Sequence, residues 1–284
     1  MSFKNRDGFA IVYAMLFIML VGVIASMIYL KQSSNVKIIV KKRETEMLKK
    51  IEALGKGFYD SHAFSIDSNP NAVLDDGREV ITTYQQLASV TGMPQRDAWN
   101  MPFRLYISRR LVDTVANFYY HDFYIVSAGE NHRFESIYDS ANNILTKGGD
   151  DYVVKISGEE IEGKNYLINS RKLYNLVKIV RNFTGTLYRY SNSDRTKNFF
   201  VSSSCSGNGG GVFGCYTNPT EFSRTNLPDE IGITADVYKD AYGNDYLFAN
   251  YSNDLSTFSP PYTAKIGMQL PGGKTVWVVF SYSL

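Results

Sequence analysis

The stretch Phe9-Ala10-Ile11-Val12-Tyr13-Ala14-Met15-Leu16-Phe17-Ile18-Met19-Leu20-Val21-Gly22-Val23-Ile24-Ala25-Ser26-Met27-Ile28-Tyr29-Leu30 carries no charged residue. At about 1.5 Å of rise per residue, a helix of this length crosses the roughly 30 Å hydrocarbon core of a bilayer. A short polar leader with Lys4 and Arg6 precedes it. The apolar region of a secretory signal peptide is shorter, about 7–15 residues. Val23-Ile24-Ala25 offers a small residue for a signal-peptide cut, but Met27-Ile28-Tyr29-Leu30 carries the apolar run past that point. The run therefore reads as a membrane-spanning helix over 9–30.

The helix continues beyond the membrane. No proline occurs before Pro70. Met47, Leu48, Ile51, Leu54 and Phe58 recur on one face of a 3.6-residue period, with Lys49, Lys50 and Glu52 off it. Gly55 and Gly57 weaken the end of this stripe, because glycine is a poor helix former. The pattern predicts one long helix over 9–63, apolar all round at first and then amphipathic, with its stripe packed against a sheet.

The rest of the chain is large enough for a core. It belongs to a protein of 284 residues with 44% hydrophobic residues and a net charge of +2, which is too weak to signal a nucleic-acid partner. Tyrosine is abundant, at 21, and proline sparse, at 8, which favours strands with aromatic cross-strand contacts. The two cysteines, Cys205 and Cys215, bracket a Ser/Gly/Asn run and read as a disulfide formed in an oxidising compartment.

An internal similarity organises this remainder. Arg96-Asp97-Ala98-Trp99-Asn100-Met101-Pro102-Phe103 returns in altered form as Lys239-Asp240-Ala241-Tyr242-Gly243-Asn244-Asp245-Tyr246. In both, a polar turn lies between two aromatic anchors. Asp, Asn and Gly suit the turn, and the aromatics bury large areas beside it. Each copy follows a helical stripe; the second is Leu173, Leu176, Val177 and Val180. After the second copy, Ala264 to Met268 and Thr275 to Phe280 read as strands around the hairpin signal Pro271-Gly272-Gly273. The aspartates lie 143 residues apart (240 minus 97), which suggests a duplicated unit with a boundary near the polar stretch Ser157 to Lys164.

Lys4-Asn5-Arg6-Asp7-Gly8 followed by Phe9 resembles the leader of a type IV prepilin or type II secretion pseudopilin. Asp97, Trp99, Pro102 and Phe103 resemble the Asp-Pro-Trp-Gly-Asn-Pro-Tyr motif of major pseudopilins, with Ala98 for Pro and Asn100 for Gly. Tyr84-Gln85-Gln86-Leu87 sits where that family has a short helix, and Phe123 to Gly129 resembles its next strand and Ser-x-Gly loop. The resemblance covers roughly residues 1–156. It implies cleavage of a leader, 1–8, after Gly8 and N-methylation of Phe9. In this chain Asp7 replaces the basic residue usual before the glycine. Tyr13 replaces the usual fifth-position Glu, a substitution typical of minor, tip-located subunits.

The fold expected is α+β. The long helix 9–63 packs on the antiparallel sheet of a first head, 64–156, and a second small pilin-like head, 157–284, carries the cysteine loop. The expected function is that of a structural subunit that initiates or caps a pilus or secretion filament. The alternative is a pilin-anchored adhesin displaying a C-terminal binding head. The resemblance implies other pilin or pseudopilin subunits, a prepilin peptidase and an inner-membrane assembly platform as partners. It also implies a single-pass place in the bacterial inner membrane with the C-terminal part in the periplasm or at a filament tip. Lys31, Lys37, Lys41, Lys42 and Arg43 outnumber the leader's cations, and by the positive-inside rule alone would face the cytoplasm. The leader, the cysteine pair and the β-rich remainder favour export.

Major pseudopilins bind calcium in a loop ending in paired acids. Here Asp150 and Asp151 match that ending and Asn131 is a further candidate oxygen ligand. Enzyme chemistry finds little support. His62, His121 and His132 lack metal-ligand spacing with each other or with cysteine. Gly209-Gly210-Gly211-Val212-Phe213-Gly214 fits a dinucleotide fingerprint only as a string, since it lies between the cysteines and not between strand and helix. That loop reads instead as a presented surface. Ser202 to Ser204 lack a nucleophile-elbow context.

Overall fold

The computed structural model describes residues 6–190, 237, 239–250 and 263–281. The chain is α+β, with one long N-terminal helix and antiparallel sheets. Helix α1 runs unbroken over Arg6–Ser68, 63 residues. It outlasts the expected end at 63 and continues through Gly55. A Cβ on Gly55 would lie 2.0 Å from Ile156 Cδ1, so the glycine is a close-approach point where the helix backbone meets the sheet.

A small hairpin, β1 (Leu74–Asp75) and β2 (Val80–Ile81), leads to α2 (Tyr84–Thr91). The sequence of α2 sets both its ends. Thr83 Oγ1 accepts from Gln86 N–H, and Gln86 Oε1 accepts from Thr83 N–H, a capping box. Gly92, at φ 70°, closes the helix in the left-handed region.

Next come β3 (Arg104–Ile107), β4 (Leu111–Val112), β5 (Tyr119–Tyr120), β6 (Asp122–Ser127), β7 (Ile137–Asp139), β8 (Ile144–Thr146) and β9 (Tyr152–Ser157). Strands β3, β6 and β9 form one antiparallel sheet with β6 central, while β4–β5 and β7–β8 are separate hairpins inserted between its strands. Every residue of β6 is buried. Ile51, Phe58 and Tyr59 of α1 pack on Phe103, Phe123, Ile125 and Ile156 of this layer. Each such side chain removed from water contributes roughly 1.5–3 kcal/mol.

Helix α3 (Gly158–Tyr190) starts directly after β9. The polar stretch Ser157 to Lys164 is thus a strand end and the first turns of a helix, with Glu159 and Glu160 at the positive end of its dipole. Strands β10 (Leu247–Asn250), β11 (Thr263–Gln269) and β12 (Thr275–Ser281) form a second antiparallel sheet. A 3₁₀ turn at Pro271–Gly273 joins β11 to β12. Leu173, Leu176, Val177 and Val180 of α3 pack on Phe248, Ile266, Met268 and Phe280 in a second core. Gly267 pairs with Trp277 across the strands, and a Cβ there would lie 2.6 Å from the indole.

Candidate functional site

The two aspartate turns have the same wiring. Asp97 N–H donates to Met101 O at 2.8 Å. Its Oδ1 accepts from Trp99 N–H at 3.0 Å and Met101 N–H at 2.7 Å. Asp240 N–H donates to Asn244 O at 2.8 Å, and its Oδ1 accepts from Tyr242 N–H at 2.9 Å and Asn244 N–H at 2.8 Å. Asn100 and Gly243 hold matching left-handed positions, φ 68° and 80°. Bridges Arg96–Pro102 and Lys239–Asp245 close the two loops, and β3 and β10 each begin seven residues after the aspartate.

Each turn is also tied to the helix beneath it. Ala98 N–H donates to Glu44 Oε2 at 2.8 Å, and Ala241 N–H donates to Asn169 Oδ1. Glu44 and Asn169 are wholly buried. Burial pushes the Glu44 carboxyl up, against the lowering effect of the Ala98 N–H. Sequence reading missed both residues. The available signal was position, because Glu44 stands one heptad before Ile51 and Asn169 one heptad before Leu176, each extending an apolar stripe with a polar side chain.

The aromatic anchors take different partners. Phe103 is buried against Tyr84, and Trp99 stacks on Tyr152 at 5.6 Å. Tyr246 is buried and donates to Asn169 O at 3.3 Å. Tyr242 turns its ring to the first half, where it meets Phe64 at 5.5 Å, and its hydroxyl donates to Glu162 Oε2 of α3.

Glu162 belongs to a buried carboxyl pair at the junction of α1 and α3. Both Asp67 and Glu162 are wholly buried and lie within hydrogen-bonding reach of each other. Tyr59 Oη donates to Asp67 Oδ1 at 2.5 Å and accepts from His121 N–H at 2.9 Å. Asp67 Oδ2 and Glu162 Oε1 are both buried without a hydrogen-bond partner. Burial pushes Glu162 up to about 7, and burial with the charge of Glu162 pushes Asp67 well above the carboxylate range.

The loop from β6 to β9 brings the candidate calcium ligands together. Asp150 Oδ2 accepts from Asn131 N–H at 3.0 Å. Asp151 Oδ2 accepts from Glu135 N–H at 2.9 Å and Ser136 N–H at 2.7 Å. Asp150 Oδ1 and Asp151 Oδ1 are buried without a hydrogen-bond partner. Such orphaned carboxylate oxygens are the hard donors calcium takes, and Asp150 and Asp151 fit it. Asn131 is placed differently. Its Oδ1 accepts from Arg133 N–H at 2.7 Å and its Nδ2 donates to Glu135 Oε2 at 3.0 Å, so it braces the loop. Among the described residues no three His, Cys, Asp or Glu side chains converge as a metal group, so a cation here would draw further ligands from carbonyl oxygens. Just before Asn131, Glu130 straps the loop to α1 through Lys37 at 2.6 Å and Lys41 at 3.7 Å.

Of the histidines, His121 is wholly buried with its ring nitrogens 2.8 Å from Ser108 O and 2.9 Å from Asn69 O. His62 lies 2.9 Å from Phe58 O within its own helix, and His132 is exposed. Gly8 and Phe9 lie within the backbone of α1. Cys205, Cys215, the glycine run between them and Ser202 to Ser204 lie outside the described residues.

Helix α1 is long and apolar enough to cross a membrane, and Met15 to Leu30 are exposed on every side. No protein-family model, no curated protein and no solved structure matches the chain.

Proposed function

We propose that the protein is a minor pilin or pseudopilin, a structural subunit that initiates or caps a type IV pilus or type II secretion-like filament. One observation carries the reading. A single helix passes without a break from a bare apolar half of membrane length into the core of an α+β head. A membrane anchor alone needs no such continuity, whereas a filament subunit needs its head held rigidly on the segment that packs among its neighbours. The leader resemblance at Gly8 and Phe9 agrees with it. On this reading the chain sits in the bacterial inner membrane with its heads in the periplasm, and its partners are other subunits, a prepilin peptidase and the assembly platform. The repeated turn wiring supports a second head, 157–284, that arose by duplication of the first.

The deciding experiment is the intact mass of the protein purified from its own membranes. Loss of Met1 to Gly8 with one added methyl is expected. A full-length mass, or a cut after Ala25, would overturn the reading. The same reading places calcium at Asp150 and Asp151. Calcium is then expected to raise the melting temperature of the full chain in detergent, and Asp151→Asn to reduce that rise; no rise in the wild type removes calcium from the proposal.

A further inference from the structure

Strand β3 is an edge strand, and the direction of its free hydrogen-bonding groups can be worked out. Ser108 N–H donates to Asp122 O at 2.8 Å, in the same register that pairs Arg104 with Val126 and Ile107 with Phe123. Antiparallel pairs alternate between bonded and non-bonded. Residues 104 and 106 therefore turn their backbone groups toward β6, and residues 105 and 107 turn theirs outward. Tyr138 Oη, donating to Ile107 O at 3.1 Å, fits that parity and covers one end of the edge. Leu105 is left with an N–H and a C=O facing outward, and no described residue bonds to them there.

That open edge forms one wall of a groove of about 680 Å³, lined among others by Thr83, Arg104, Leu105, His132, Arg133 and Phe134. Among the described residues no acidic one lines it. The Arg104 guanidinium is held over the Phe134 ring, 3.9 Å from its centroid. Arg133 is exposed, and its backbone is fixed by Asn131. An arginine already ordered by stacking loses little freedom when it takes a carboxylate in its planar fork. A second copy of this edge is a poor occupant, because it would bring another Arg104 against the same basic surface.

We infer that this groove is a strand-addition site for an extended, acidic peptide segment of a partner protein. The peptide backbone pairs with Leu105, and its carboxylates reach Arg104 and Arg133. No residue of α1 is among those lining the groove, so binding there does not depend on the filament reading.

The test uses the full chain in detergent micelles and a fluorescein-labelled hexapeptide alternating Val and Glu, read by fluorescence anisotropy. Controls are the same peptide with Lys for Glu, and one with its backbone nitrogens methylated on the pairing edge. The acidic peptide is expected to bind, and both controls to fail. Arg133→Glu, at an exposed site, is expected to weaken binding by roughly tenfold with the melting temperature unchanged. Arg104→Glu is a second variant with the same expected direction. No binding of the acidic peptide, equal binding of the Lys peptide, or tolerance of N-methylation would each overturn the proposal. Self-association of the chain that competes with the peptide would overturn it too, by making a second copy the occupant.

Discussion

Glu162 holds its proton up to about 7 in the folded protein, against an ordinary value of 4.5. The unfolded chain gives that proton up earlier, so stability from this group is complete below the ordinary value and is lost as pH rises through about 7. Asp67, Tyr59, Tyr242, Asn165 and Asp60 are the groups around it. A glutamine there copies the protonated acid and still accepts from Tyr242. Melting temperatures of wild type and Glu162→Gln, measured from pH 4.5 to 8, are expected to diverge as pH rises, with the variant the flatter. Parallel curves would remove the raised Glu162 titration from the account. At Glu44 the concern is an orphaned donor. Glu44→Ala strips Ala98 N–H of its acceptor and is expected to cost about 1–3 kcal/mol in chemical denaturation, while Glu44→Gln recovers most of it.

At the scale of elements, what could be read beforehand was whatever repeats along the chain. The apolar run, the stripe from Met47 to Phe58, the turn at Asp97 and its echo at Asp240, and the strands around Pro271 all declare themselves by local spacing. What escaped depends on partners far away in sequence. Gly55 looks like a helix breaker until Ile156 is placed against it. Glu44 and Asn169 look like surface residues until the turns they bind are overhead. Ser157 to Lys164 reads as a boundary because it is polar, yet its glycine lets α3 start against the sheet; a Cβ on Gly158 would lie 2.1 Å from His121 O and 2.3 Å from Tyr59 Oη. Of the candidate ligands, Asp150 and Asp151 were legible as paired acids, but the bracing role of Asn131 was not, since it depends on Arg133 and Glu135 folding back over it. The close approach of α1 to β9 has a direct check. Gly55→Leu is expected to destabilise by about 1–3 kcal/mol through overpacking, against a change of no more than about 1 kcal/mol for Gly57→Leu, where nothing lies within 4 Å of the added Cβ. Equal losses at the two sites would contradict the packing described.

At the scale of the molecule, two helix-turn-sheet units lie in contact. Four and seven residues beyond Glu44, Leu48 and Ile51 face the first core; at the same steps beyond Asn169, Leu173 and Leu176 face the second. The units meet through polar ties as well as rings: Gly272 N–H donates to Ser68 Oγ at 3.2 Å, Lys274 Nζ donates to Asn117, and the Tyr242 ring meets Phe64. Tyr242→Phe keeps the ring and removes the hydroxyl. It is expected to lower stability by about 1 kcal/mol and to narrow the pH divergence expected between wild type and Glu162→Gln, since the two changes act on one buried network.

The uninterrupted α1 has a mechanical consequence. At about 1.5 Å per residue it is a rod of about 95 Å. A pull on its bare end travels down the rod and loads the head in shear, across many side chains at once, instead of peeling them apart one by one. The exposed link from Glu130 to Lys37 and Lys41 takes the strain first. The Glu44 tie to the turn follows, and the packed face from Ile51 to Ile66 yields last. Under tension the molecule would give way first at its neck, with the first core the last part to fail.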